Sequence, residues 1–175
     1  ALVNGNSAHT TELEGDSLPE ALYSCGHWPT DFATGEKLKL SGRDVIVALV
    51  IGYEVAARLG LAFQGALLRG RASCAVWTIG NAAAAAKMLR LNVAQTTFAL
   101  SLAASQASGL RRQAGTGAHL VEAGFNGRNG ICAAELAALG YTGTPTILEG
   151  KGGFGDLWSD CPEFDVALGD DYHLV

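Results

Sequence analysis

Residues Gly109 to Gly140, GLRRQAGTGAHLVEAGFNGRNGICAAELAALG, decide how this chain is read. The segment changes character midway. Its first part is a loop with two arginines (Arg111, Arg112) and two glycines (Gly115, Gly117), which delivers His119 to the start of a helix. That helix runs on through Gly124, Gly127 and Gly130 into the alanine-rich CAAELAALG. A glycine inside a helix costs up to about 1 kcal/mol relative to alanine. A run of them at every third position makes sense where a neighbouring backbone or a ligand comes very close. The pattern predicts a helix pressed on by its neighbours, with a polar, histidine-bearing loop at its start as the place where function sits.

Outward from this segment the chain reads as further helices. Ser41, with Asp44 three residues on, forms a capping-box-like start to VALVIGYEVAARLG, with Gly60 as its stop. Glu54 and Arg58, spaced i, i+4, read as an ordinary surface pair. TIGNAAAAAKMLRL has side chains small enough for close helix packing. Asn92 and Gln95 cap VAQTTFALSLAASQAS, which Gly109 ends. Helices are therefore expected near 43–59, 75–90, 93–108 and 120–139, with a further start at Thr144-Pro145. In the first segment His9, Glu12 and Asp16 would share one helix face.

Composition agrees with an all-α domain of antiparallel helices. Of 175 residues 49% are apolar but only 7% aromatic, so the bulk is Ala, Leu, Val and Gly; that mix favours packed helices over β-sandwiches. Seventeen acids against twelve Lys and Arg give a net charge of −5, which argues against nucleic-acid binding. Cys25, Cys74, Cys132 and Cys161 form no CxxC pair, against a zinc or iron–sulfur site or a compact disulfide framework. Reduced thiols in a cytoplasmic protein are expected. There is no signal-peptide pattern, and the longest apolar run, Val45 to Tyr53, is too short to span a bilayer. The chain starts without Met and lacks an obvious closing element, and so reads as part of something longer.

Common nucleotide and hydrolase motifs are absent. GTGAHL lacks the third glycine of a dinucleotide fingerprint and follows no strand pattern; no P-loop, HExxH or GxSxG occurs. His119 and Glu122 lie one helical turn apart, but no second histidine is near them in sequence, so no metal is expected. What remains are the acid/base groups Glu12, Asp16, His27 and His119, with arginines at 69, 71, 111 and 112 to bind carboxylates. That set suits proton abstraction next to a carboxylate, with loss or transfer of a group at the neighbouring carbon.

The ordered segments NGNSAHTTELEGD, IGYEVAARLG, TIGNAAAAAKMLRLN, GTGAHLVEAGFNGRNGICAAELA and ILEGKGGFGD resemble the MmgE/PrpD family. That family includes 2-methylcitrate dehydratase, cis-aconitate decarboxylase and iminodisuccinate epimerase. The resemblance covers nearly the whole chain. It implies the all-helical domain of a two-domain, usually dimeric enzyme that uses no metal or organic cofactor. Residues 1–160 would be that helical domain, incomplete at its N-terminus, and 161–175 the start of the lid-like domain or a tail.

Residue by residue, the family's Ala-His-x-x-acid-x-acid-Asp segment falls on Ala8, His9, Glu12, Glu14 and Gly15. Glu12 takes the place of an active-site acid, Gly15 replaces the second acid of a pair, and Asp16 falls where some members have a threonine. A family His-Pro falls on His27 if the chain is locally shifted, or on Ser24-Cys25 if it is not. A second His-Pro falls on Arg71-Ala72. His119 stands where many members have an active-site lysine. The resemblance implies a lyase or isomerase acting on a small di- or tricarboxylate such as 2-methylcitrate. Glu12 or His119 would be the base, His27 would protonate a leaving hydroxyl, and Arg71 or Arg112 would bind a carboxylate. The alternative is a truncated, inactive helical domain that acts only in association.

Overall fold

The computed structural model describes residues 1–17, 22–62 and 74–158. Among these the architecture is all-α, built from α1 (Leu2–His9), α2 (Trp28–Leu38), α3 (Gly42–Ala62), α4 (Cys74–Met88), α5 (Val93–Ala104), α6 (Gly117–Ala138) and the short α7 (Phe154–Trp158). A two-residue antiparallel ladder joins β1 (Asp16–Ser17) to β2 (Leu22–Tyr23), pairing Asp16 with Tyr23 and Ser17 with Leu22.

The axis of the domain is α4. Every residue from Cys74 to Ala86 is buried, because α2, α3, α5 and α6 all pack against it. The Ala82–Ala86 run leaves neighbouring backbones room to approach, while Trp77 and Ile79 supply bulk near its start. Close approach is most marked where Gly52 of α3 meets Gly80 of α4: a Cβ on Gly52 would lie 2.9 Å from the Gly80 carbonyl oxygen.

The glycines of α6 serve three different neighbours. A Cβ on Gly124 would run into the Leu2 carbonyl of α1. On Gly127 it would lie 2.6 Å from Thr30 Oγ1 of α2, and on Gly130 2.5 Å from Asn81 Cβ of α4. The three-residue spacing is thus a row of contacts along one helix, each fixing a separate element to it.

Both predicted caps form. Asp44 N donates to Ser41 Oγ (3.2 Å) and Ser41 Oγ donates to Asp44 Oδ2 (2.6 Å). Asn92 and Gln95 complete a reciprocal capping box, a local arrangement that sequence alone specifies.

Several sequence expectations are corrected. Gly60 does not end α3, which runs to Ala62 with Gly60 buried inside it; tertiary packing overrides a weak propensity. At 21 residues and a mean hydropathy of 1.9 over its most apolar window, α3 is also long and apolar enough to cross a membrane, but 56% of that window is buried within the domain. Helix α5 ends at Ala104 rather than 108. There Ser105 Oγ and Gln106 Nε2 donate to the Ser101 and Leu102 carbonyls, offering the backbone an alternative to the helical ladder. Pro145 to Glu149 form turns instead of a helix, tied through Gly150 N to Thr146 O (2.8 Å). Helix α1 ends at His9, so His9, Glu12 and Asp16 share no helix face; Glu12 takes φ 49° and turns the chain.

Glu54 and Arg58 are buried, not a surface pair. Their side chains are each 9% exposed, with Arg58 Nη2 2.7 Å and Nε 2.8 Å from Glu54 Oε1. Removing one member of a buried pair takes this contact from the other's buried charge, which costs about 3 kcal/mol. Arg58→Leu is expected to lower unfolding free energy by about that much in urea melts, and the double change Glu54→Leu/Arg58→Leu to recover part of it.

Candidate functional site

Helix α1, the loop after it and the first turn of α6 converge on a cavity of about 440 Å³ lined by His9, Glu12, Glu14, Tyr23, Gly115 and His119, with Ala114 completing its wall. His9, the last residue of α1, is 1% exposed. Its ring lies edge-on to His119 at 4.6 Å and to Trp77 at 6.1 Å between centroids. The α1–α6 glycine contact sets this juxtaposition, because it fixes the helix that ends in His9 against the helix that begins beside His119.

His119 is held from both sides. Its Nδ1 lies 3.1 Å from Glu122 Oε2, one turn along α6, and its Nε2 lies 3.6 Å from Glu12 Oε1. Glu122 is buried (9% exposed) and also accepts from the Cys74 thiol at 3.7 Å. A buried carboxylate on Nδ1 favours the proton there and leaves the Nε2 lone pair facing the cavity. The positive φ of Glu12 is uncommon outside glycine and asparagine and aims its loop back over α6.

Glu14 anchors the cavity's other wall by accepting a 2.8 Å hydrogen bond from Cys25 N. Burial pushes the Cys25 thiol well above the usual range, and the Glu14 hydrogen bond and charge push it further. The Cys74 thiol is raised chiefly by burial, with the Glu122 charge adding to it. Both thiols stay protonated and are poor nucleophiles.

The structure unites only part of the predicted set. Glu12 and His119 meet at the cavity. Asp16 lies in β1, paired with Tyr23. Arg112 is exposed in the 3₁₀ turn Arg111–Gln113, just before the Ala114–Gly115 wall. Arg69 and Arg71 fall outside the described residues. His27 does not line the cavity. It caps α2, fully buried against Tyr53 (5.0 Å between ring centroids) and beside Gly80. Burial alone holds its pKa down to about 3, so near neutrality it is the neutral imidazole rather than an acidic imidazolium. Cys25 instead groups with His9 and Glu14.

Sequence reasoning missed His9 as a cavity residue, along with Tyr23 and Cys25. The one-turn spacing of His119 and Glu122 was legible in the sequence, and the two side chains meet. His9 had no such signal beyond its place in the Ala-His segment, because its position depends on the α1–α6 crossing.

An all-α domain with a histidine–carboxylate cavity at the joint of its first and longest helices defines the class of protein. The chain belongs to the MmgE/PrpD family: the family's N-terminal domain matches residues 1–167. It is 35% identical over 167 residues to a cis-aconitate decarboxylase-like protein of Aspergillus oryzae, covering 88% of this chain and 35% of that protein. It is 33% identical over 168 residues to the cis-aconitate decarboxylase of Homo sapiens, covering 91% and 35% respectively. With that of Aspergillus terreus it shares 35% identity over 165 residues, covering 88% and 34%. The chain therefore spans about a third of the length of these curated relatives.

Proposed function

We propose that this chain forms the helical part of a cofactor-independent lyase or isomerase that moves a proton at a carbon next to a carboxylate in a small di- or tricarboxylate. The observation that carries the reading is His119, held by Glu122 on Nδ1, facing Glu12 with Nε2, and lying edge-on to the His9 ring at 4.6 Å between centroids. The cis-aconitate decarboxylase relatives support a decarboxylase or dehydratase type of chemistry. In an elimination, Nε2 takes the proton alpha to the carboxylate, and the electron pair left on carbon expels the group on the neighbouring carbon. In a decarboxylation, loss of carbon dioxide leaves that pair on carbon, and His119 in its protonated form returns a proton to it. Glu122 stabilises the imidazolium in either case. Arg112, at the rim, is the proposed carboxylate contact on the described side, and Arg71 a second. A cytoplasmic homodimer is the proposed setting.

Proton NMR of the purified chain in deuterated water, with cis-aconitate, 2-methylcitrate, citrate and iminodisuccinate, tests this directly. Solvent deuterium at a substrate carbon, or a new alkene signal, is expected, and His119→Ala should slow it by about 10²–10⁴-fold. Exchange that is unchanged in His119→Ala would overturn the assignment. Absence of exchange from a folded sample would favour the second reading, a domain acting only in association. That reading draws on the exposed apolar residues Phe32, Ile46, Val47 and Val50 along α2 and α3.

A further inference from the structure

We propose that His9, Glu12 and His119 form a binding site for a divalent transition-metal ion of the zinc class. One ring nitrogen from each histidine and one Glu12 oxygen lie within 4.8 Å of one another. Tetrahedral ligands at zinc distances sit roughly 3.4 Å apart, so a modest closure completes the set. Glu12, on an exposed loop, is the member free to make it.

Two further observations point to an ion. The first is the support behind His119. A metal-binding imidazole characteristically gives its other N–H to a carboxylate, which fixes tautomer and ring orientation. Glu122 stands in that relation at 3.1 Å and is itself fixed by Cys74. The second is His9, 1% exposed, whose Nδ1 has no hydrogen-bond partner. Buried imidazole nitrogens are normally satisfied, and this one belongs to a ring that lines the cavity.

The donor set selects the ion. Two imidazoles and one carboxylate suit zinc, cobalt, nickel or copper, whereas magnesium and calcium take oxygen ligands. Glu14 adds a second carboxylate to the same cavity, which raises local cation concentration. If the proton-transfer reading also holds, the ion and the substrate proton compete for the same Nε2 lone pair, and the metal acts as an inhibitor.

The site is tested on chelator-stripped full chain without substrate. Cobalt titration is followed by its visible d–d bands, and zinc affinity by competition with a chromogenic chelator. One equivalent at low-micromolar affinity or tighter is expected. His9→Ala and His119→Ala should each weaken binding by more than about 10-fold, Glu122→Gln by about 10-fold, and Cys132→Ser not at all. Glu12→Gln, on an exposed side chain, serves as the ligand variant least exposed to folding failure. The proposal is overturned by the lack of saturable binding in a folded chain. It is equally overturned if Glu12→Gln and His119→Ala retain full affinity, which would mark surface binding elsewhere. Because deuterium exchange is run with chelator present and metal titration without substrate, either reading can fail alone.

Discussion

Gly124→Val is expected to abolish the site while leaving most of the helical domain folded. Helix α1 has eight residues, LVNGNSAH, with the weak helix formers Asn4, Gly5 and Asn6 in its middle and no side-chain cap at its start. Such a segment is not stable alone, and tertiary contact must hold it. The contact is backbone on backbone: a Cβ on Gly5 would lie 2.5 Å from Gly124 Cα, and one on Gly124 would overlap the Leu2 carbonyl. No rotamer change relieves that overlap, so α1 must move, and His9 moves with it. Cobalt binding and substrate deuterium exchange should both fall by more than about 100-fold, with a stability loss of about 2–3 kcal/mol and a far-UV spectrum close to native. Gly130→Ala provides the contrast. Its Cβ would meet Asn81 Cβ at 2.5 Å and Ala82 N at 2.9 Å on the central helix α4, so it should lower the global unfolding midpoint instead. If Gly124→Val binds cobalt normally, the α1–α6 crossing does not position His9.

The same glycines show how much of the fold was legible in the sequence. Their spacing announced that something presses on α6, but not that α1, α2 and α4 each take one contact, because partner choice is a tertiary fact. The Ser41 and Asn92 caps were readable because a cap satisfies backbone donors within three residues of itself. The ends of α3 and α5 were not, since burial of Gly60 and side-chain competition at Ser105 and Gln106 decide them. In the site, Glu12 and His119 were found from residue type and order. The helix face that the spacing gives to His9, Glu12 and Asp16 does not form, because α1 stops at His9. His27 resisted prediction for a related reason: whether it faces the cavity depends on the 3₁₀ turn Ser24–Gly26 just before it, which turns Cys25 rather than His27 toward Glu14. Glu54 and Arg58 fit a solvent-facing pair by spacing alone, and only the packing of α3 reveals them as buried.

Stability is expected to fall as pH rises above about 6.5, and the cause lies in the first turn of α2. His27 and Asp31 are both fully buried there, and neither the His27 ring nitrogens nor the Asp31 carboxyl oxygens have a hydrogen-bond partner. Burial lowers His27 from 6.5 to about 3 and raises Asp31 from 3.8 to about 8. The two shifts act in opposite directions. For His27, the unfolded chain takes up a proton below 6.5 that the native state refuses down to about 3, so stability declines as pH falls through that window. For Asp31, the unfolded chain releases a proton above 3.8 that the native state keeps to about 8, so stability declines as pH rises through that one. Each slope approaches about 1.4 kcal/mol per pH unit. Where the windows overlap, between 3.8 and 6.5, they largely cancel and the wild-type profile is flat. Above 6.5 only Asp31 remains, and stability drops until about 8. Asp31→Asn removes that arm: urea melts should then show stability rising with pH up to about 6.5 and level beyond it. His27→Gln removes the other, leaving a decline across the whole interval from 3.8 to about 8, on the order of 5 kcal/mol in total. A wild-type profile that superimposes on that of Asp31→Asn above 6.5 would mean that the native state holds Asp31 ionised and that burial does not govern its proton.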